Sequence, residues 1–193
     1  MKEMEYRALD VKASGDDLHV EGYAAIFNER ALIWESEYSG YKYYEVISPG
    51  AFDGADMSDV VMRYNHSDDT PLLARTSNNT LILDVDQRGL HISATLADTT
   101  VGRDMYALIK RGDITKMSFA FSVKKDSATE DRDAKTYTRN IQKFGTIFDV
   151  APVNFPAYDG TTLEARNAQQ FKQFETEQRE AQRRKMLILQ TYV

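Results

Sequence analysis

Three polar residues in this sequence have the side-chain types that serine-based chemistry requires: His66, Ser118 and Asp149. A serine hydroxyl is a poor nucleophile at neutral pH unless a base accepts its proton, and a neutral imidazole is suited to that task. A carboxylate on the other imidazole nitrogen fixes the tautomer and stabilises the imidazolium that forms. The three residues are therefore the minimum set that activates a serine, although their order along the chain does not show that they meet.

Ser118 lies in a segment, residues 116–124, whose alternation predicts a strand. Successive strand side chains point to opposite faces, so one face should carry the large apolar residues Met117, Phe119, Phe121 and Val123. Small residues occupy the other face and would leave room for a substrate chain above the Ser118 hydroxyl. Taken alone this signal is weak, because a serine on the outer face of a strand is usually only a surface residue.

His66 follows a predicted strand over residues 60–64, which places its imidazole at the rim of the apolar face. The residues around and after it, 65–70, are polar, and loops at strand ends are where scaffolds place working residues. A metal site formed by His66, Asp68 and Asp69 is the alternative. One histidine beside two aspartates fits no strong ligand spacing, so this alternative ranks lower.

Asp149 is a carboxylate in an otherwise apolar segment, residues 145–153. Strict alternation places it on the face that also carries Ile147, Ala151 and Val153. Burying an unpaired charge is costly, so Asp149 should have a partner, and an imidazole or an arginine is the natural candidate. A purely structural ion pair with one of the basic residues is the alternative interpretation.

The elements that must position these residues are mostly strands in the first half of the chain. Apolar runs predict strands at residues 18–27, 60–64, 80–85 and 90–96, with the polar residues 86–89 as a hairpin loop. Residues 49–52 predict a turn that leads into a short helix. The aromatic residues of segment 29–44 fit a substrate-binding flap or a packed hairpin, and the strand preference of aromatic side chains favours the hairpin.

The second half of the chain begins with a predicted helix at residues 100–110, which Gly112 should end. Strand 116–124 follows, then a charged segment, residues 126–133, with the composition of an exposed loop. Two further strands are predicted at 135–142 and 144–155. Residues 162–189 contain no glycine or proline and predict a long helix.

Composition excludes several classes of function. With 193 residues the chain fits one domain with an appendage, and its net charge of −6 argues against nucleic-acid binding. The absence of cysteine excludes disulfides, thiolate zinc sites and a cysteine nucleophile. We expect neither a signal peptide nor a membrane span. The net charge divides into −8 for residues 1–163 and +2 for the C-terminal tail, residues 164–193. The tail is therefore the part of the chain most suited to a binding partner of its own.

Six short segments, in this order, resemble the prohead maturation proteases of tailed bacteriophages, a serine peptidase family related in fold to herpesvirus assemblin. The resemblance covers most of residues 4–160. The segments are EGYAAIF (21–27), ISPGAF (47–52), YNH (64–66), DQRGL (86–90), RGD followed by KMSFAF (111–121), and FPA (155–157).

The resemblance implies a fold and a set of catalytic residues. The fold is a β-rich α+β domain over residues 1–160, a compact antiparallel or mixed β-barrel with surrounding helices, followed by a helical tail over 161–193. His66 and Ser118 match the family's histidine and nucleophile. The third position, typically glutamate in the family, is Asp149 here. Assemblins use a second histidine after the serine, which this chain lacks, since its last histidine is His91.

The implied function is a serine endopeptidase that cleaves the scaffolding segment of the major capsid protein, and itself, through an acyl-enzyme. It would work inside the assembling procapsid in the host cytoplasm, without cofactor or metal and without binding nucleic acid or membrane. Its partners would be the capsid protein and, in a dimer or larger oligomer, itself. A non-catalytic assembly or scaffold protein of the same fold is the main alternative, and a small-ligand-binding β-barrel is a third.

Overall fold

The computed structural model describes residues 5–14, 17–36, 38–154 and 176. The chain divides into two compact units, Met1–Asp159 and Gly160–Val193. Thr176 is helical, and the rest of the predicted tail helix, residues 162–189, lies outside the described residues. In the described ranges, no helix is both long enough and apolar enough to cross a membrane.

The described part of the first unit is built mainly from strands, with one α-helix, α1 (Thr100–Arg111). The strands, in chain order, are β1 (Glu5–Ser14), β2 (His19–Ile26), β3 (Ala31–Glu35), β4 (Lys42–Ile47), β5 (Val61–Met62), β6 (Ala74–Arg75), β7 (Leu81–Val85), β8 (Gly89–Thr95), β9 (Lys116–Asp131) and β10 (Thr136–Val153). This confirms the β-rich class.

The described strands form one mixed sheet rather than a closed barrel. Hydrogen bonding follows the order β3-β4-β10-β9-β1-β2-β8-β7, with the short β5 and β6 added beside β10. β4 and β5 run parallel to β10, and the other pairs are antiparallel. The predicted barrel is therefore not found in the described residues, because the two end strands, β3 and β7, do not pair with each other. Apolar alternation specifies faces, whereas closure depends on tilt and register.

The predicted apolar face of β9 packs in the core. Met117, Phe119 and Phe121 are at most 1% exposed. Phe119 and Phe121 stack with ring centroids 4.7 Å apart, and the ring of Phe144 meets both of them edge-on. Burial of such side chains contributes about 1.5–3 kcal/mol each, so this cluster holds the centre of β9 and β10 rigidly.

Local sequence signals account for several elements. The hairpin of β7 and β8 is confirmed, and segment 29–44 forms the antiparallel hairpin of β3 and β4 rather than a separate flap. Helix α1 is also confirmed. Its N-cap Thr99 accepts a hydrogen bond from Gly102 N, and Gly112 ends it in the left-handed conformation at φ 87°.

Three predictions about local structure were wrong. Residues 126–131 belong to β9 rather than to a loop, because the ladder with β10 satisfies their backbone although their side chains are exposed. The strands predicted at 135–142 and 144–155 are one continuous strand, β10, interrupted only by bulges. Residues 49–54 form turns without the predicted short helix.

A bulge in β10 determines the direction of Asp149. Ile147 pairs with Phe121, whereas Asp149 pairs with Ala120, so the extra residue reverses the alternation between them. Ile147 therefore joins the main core, and Asp149 points to the opposite face together with Ala151. The prediction that Ile147 and Asp149 share a face was wrong for this reason.

Gly145 and Ser122 stabilise this irregular part of the ladder. The Ser122 hydroxyl accepts a hydrogen bond from Thr146 N at 3.0 Å. A Cβ atom at Gly145 would lie 2.7 Å from that same oxygen. Because Gly145 has no side chain, the Ser122 hydroxyl can lie close enough to β10 to accept the hydrogen bond from Thr146 N.

We expect Gly145→Ala to lower the free energy of unfolding by about 1–3 kcal/mol, because the new methyl displaces Ser122 Oγ from Thr146 N. Ser122→Ala removes the same acceptor. Urea denaturation of both single variants and the double variant is the measurement. The costs should not add, since the double variant loses that hydrogen bond only once. Additive costs would contradict the role given to this pair.

Candidate active site

The short strand β5, which pairs with β10, positions His66 in the turn that follows it. Val61 and Met62 pair in parallel with Asp149 and Val150, and Arg63 N extends the ladder by donating to Val150 O at 3.1 Å. The chain then turns in a single 3-10 turn, Tyr64–His66. The predicted strand of residues 60–64 is thus shorter in the structure, because after Arg63 the 3-10 turn replaces the extended backbone.

The turn that carries His66 has an unusual backbone. Asn65 and His66 both adopt the left-handed region, at φ 51° and φ 56°. This conformation costs a residue other than glycine about 1–3 kcal/mol, although Asn and His adopt it more often than most, and such strain is concentrated at functional sites. The surrounding structure must therefore hold the turn in place.

Asn154, which directly follows β10, holds this turn in position through two hydrogen bonds. Its side-chain oxygen accepts a hydrogen bond from Tyr64 Oη at 2.5 Å, and its backbone N–H donates to Asn65 Oδ1 at 3.1 Å. Two bonds from one residue thus fix both residues before His66. Asn154 was not predicted as a functional residue, and no pattern in the sequence pointed to it.

His66 and Asp149 form a buried pair. Nδ1 lies 2.5 Å from Asp149 Oδ1, and the two side chains are only 6% and 7% exposed. A carboxylate can only accept, so Nδ1–H is the donor and the neutral ring keeps its lone pair on Nε2. Nε2 is itself buried. The ring is thus set in the tautomer that a general base needs.

Asp149 has an arginine partner as well. Arg63 Nε lies 3.6 Å from Oδ2, the carboxylate oxygen that does not face Nδ1. The guanidinium also contacts the exposed Asp68 through NH1. The imidazole and arginine that the sequence offered as alternative partners are therefore both present. Asp68 pairs with Arg63, while His66 pairs with Asp149, so these two residues of the alternative metal site have different partners.

Ser118 lies on the same face of the sheet as Asp149. Ser118 pairs with Ala151, and Ala120 pairs with Asp149, so the serine and the aspartate are diagonal neighbours across β9 and β10. Diagonal neighbours are about 7–8 Å apart, a span that an imidazole with a hydrogen bond at each nitrogen can bridge. The methyl side chains of Ala120 and Ala151 leave volume for a ring above this part of the sheet.

Ser118 is more buried than the sequence predicted. The residue is 3% exposed, and its strand is flanked by β1 on one side and β10 on the other. A strand position of this kind gives the hydroxyl a fixed direction. A substrate must therefore approach over the face of the sheet, because both edges of β9 are already paired at this position.

The other two histidines lie in a different part of the sheet. His19 Nε2 is 3.3 Å from the Ser93 hydroxyl, and the ring of His91 packs edge-on against Tyr23. Both belong to the β2–β8 pair. His66 is therefore the histidine that the fold brings to Asp149.

Comparison with known proteins identifies the family of this chain. The family model described as "Caudovirus prohead serine protease" matches residues 2–177. The "Prohead protease" of Enterobacteria phage HK97 is 26% identical over 171 residues, which cover 86% of this chain and 68% of that protein. No solved structure is significantly similar. Since the family model spans most of its length, the chain belongs to the caudovirus prohead serine protease family and is a serine peptidase of phage prohead maturation.

Proposed function

We propose that Ser118, His66 and Asp149 are the nucleophile, the general base and the orienting acid of this peptidase. The buried His66–Asp149 contact carries the proposal, because it lies on the sheet face to which Ser118 belongs. The same contact indicates whether aspartate can replace the glutamate that the family typically has at this position. At 2.5 Å from Nδ1, the shorter side chain reaches the imidazole.

The proposed chemistry is acyl transfer. Ser118 Oγ attacks the peptide carbonyl carbon while His66 Nε2 accepts the hydroxyl proton, and the Asp149 carboxylate stabilises the resulting imidazolium. The tetrahedral intermediate collapses as His66 returns the proton to the leaving amine, and the C–N bond breaks. Water, deprotonated by the same imidazole, then attacks the acyl-enzyme carbonyl carbon. The C–O bond to Ser118 breaks as His66 returns the proton to Oγ, which releases the acid product and free Ser118.

We further propose that the substrates are the scaffolding segment of the major capsid protein and this chain itself. Membership in the prohead protease family places the enzyme in the procapsid with capsid protein. Residues 1–160 would form the protease domain. The tail, residues 161–193, would engage scaffold or capsid protein, or be removed by self-cleavage, and its net positive charge distinguishes it from the acidic domain.

Ser118→Ala should abolish cleavage of co-expressed capsid protein and of the protease chain, because the nucleophile is lost. Intact-mass spectrometry of both proteins is the measurement. Ser127→Ala is the matched control, since Ser127 is an exposed serine on the same strand, β9. Identical product masses from wild type and Ser118→Ala would instead favour a non-catalytic assembly protein.

Asp149→Asn should lower kcat by about 10⁴-fold, because an amide can donate to Nδ1 and so favours the wrong imidazole tautomer. Asp149→Glu, which restores a carboxylate, should recover part of that loss. The initial rate of capsid-protein cleavage checks both variants, with urea midpoints to show that each is folded. An Asp149→Asn enzyme within tenfold of wild type would remove Asp149 from the mechanism.

A further inference from the structure

We infer that Arg63 is a positioning residue for the catalytic carboxylate, an inference that rests on the proposed role of Asp149. Its guanidinium would hold Oδ2 so that Oδ1 stays aimed at His66 Nδ1. The contact is an ion pair at 3.6 Å rather than a hydrogen bond, and it joins two side chains that are both largely buried, at 20% exposure for Arg63 and 7% for Asp149. Arg63 would act through Asp149 and not on the substrate.

The backbone gives Arg63 a fixed place beside Asp149. Arg63 N donates to the carbonyl of Val150, the residue that follows Asp149 in β10. Its side chain then reaches Oδ2, and three residues later the turn brings His66 to Oδ1. One short segment therefore supplies a partner for each oxygen of the same carboxylate.

Charge provides the physical reason for such a partner. With a neutral imidazole alone, the ionised Asp149 would be a buried charge without a counter-charge, which is costly. Arg63 supplies the counter-charge while leaving Oδ1 available to His66. The NH1 group of Arg63 also pairs with Asp68, whose side chain is 92% exposed. The guanidinium therefore has two carboxylate partners, Asp149 and Asp68.

A carboxylate held at one oxygen only can rotate about its Cβ–Cγ bond. Loss of Arg63 should therefore misalign the Oδ1–Nδ1 hydrogen bond more than it unfolds the domain. At metal sites, groups that orient a ligating side chain from outside typically affect affinity or activity by about 10–100-fold, and we expect the same range for a group that orients a catalytic carboxylate. A purely structural ion pair would instead change stability and leave the kcat of the folded enzyme unchanged.

The test compares Arg63→Met and Arg63→Lys with Arg75→Met in the full chain acting on capsid protein. Arg75 is the matched control, because it lies on β6, the strand that neighbours β5, and forms an ion pair with Asp59 in which both side chains are about half exposed. We expect Arg63→Met to lower kcat 10–100-fold with little change in KM. Arg63→Lys should recover most of kcat, and Arg75→Met should match wild type. If Arg63→Met fails to fold by urea denaturation, Arg63→Gln takes its place.

The decisive comparison repeats Arg63→Met in the Asp149→Asn background, with residual cleavage followed by mass spectrometry over long incubation. A residue that acts through the carboxylate should cause no further loss there. An equal loss in both backgrounds, or a folded Arg63→Met enzyme within twofold of wild type, would overturn the inference. Cleavage by Ser118→Ala would overturn the proposed function instead, so the two failures are distinguishable.

Discussion

The buried contact between His66 and Asp149 is the interaction on which the site depends. Two irregular pieces of backbone make it possible. A bulge in β10 turns Asp149 away from the phenylalanine core, and a left-handed turn after β5 brings the imidazole back over the sheet. Without the bulge, the carboxylate would face the apolar side, where its charge would have no partner. Without the turn, the histidine would continue along the edge of β10.

The rest of the sheet holds these irregularities in place. The phenylalanine cluster of β9 and β10 fixes the register that makes Ser118 and Asp149 diagonal neighbours. Asn154 ties down the turn from the end of β10, and the ladder between β5 and β10 places Arg63 and His66 on either side of one carboxylate. A rigid scaffold is what serine-based catalysis requires, because small displacements of the reacting groups cost large factors in rate.

Sequence alone predicted the regular parts of this structure better than the irregular ones. The alternation of Met117 and Phe119 with Ser118 was sufficient to place Ser118 on a strand, and the stop signal at Gly112 placed the end of α1. The direction of Asp149 was predicted from strict alternation, which the bulge breaks. The C-terminal part of β9, residues 126–131, was predicted as a loop because its exposed polar side chains have the composition of a loop. Arg63 and Asn154 were missed because their roles depend on strand pairing between distant segments, which residue spacing does not reveal.

In the mechanism that we propose, His66, held by Asp149, activates the hydroxyl of Ser118. Labelling with a fluorophosphonate, followed by peptide mapping with mass spectrometry, tests this activation, because the reagent forms a stable adduct with an activated serine. We expect one adduct, on the peptide that contains Ser118, lost in His66→Ala and retained in His91→Ala. An adduct on another residue, or labelling of Ser118 that persists without His66, would contradict it.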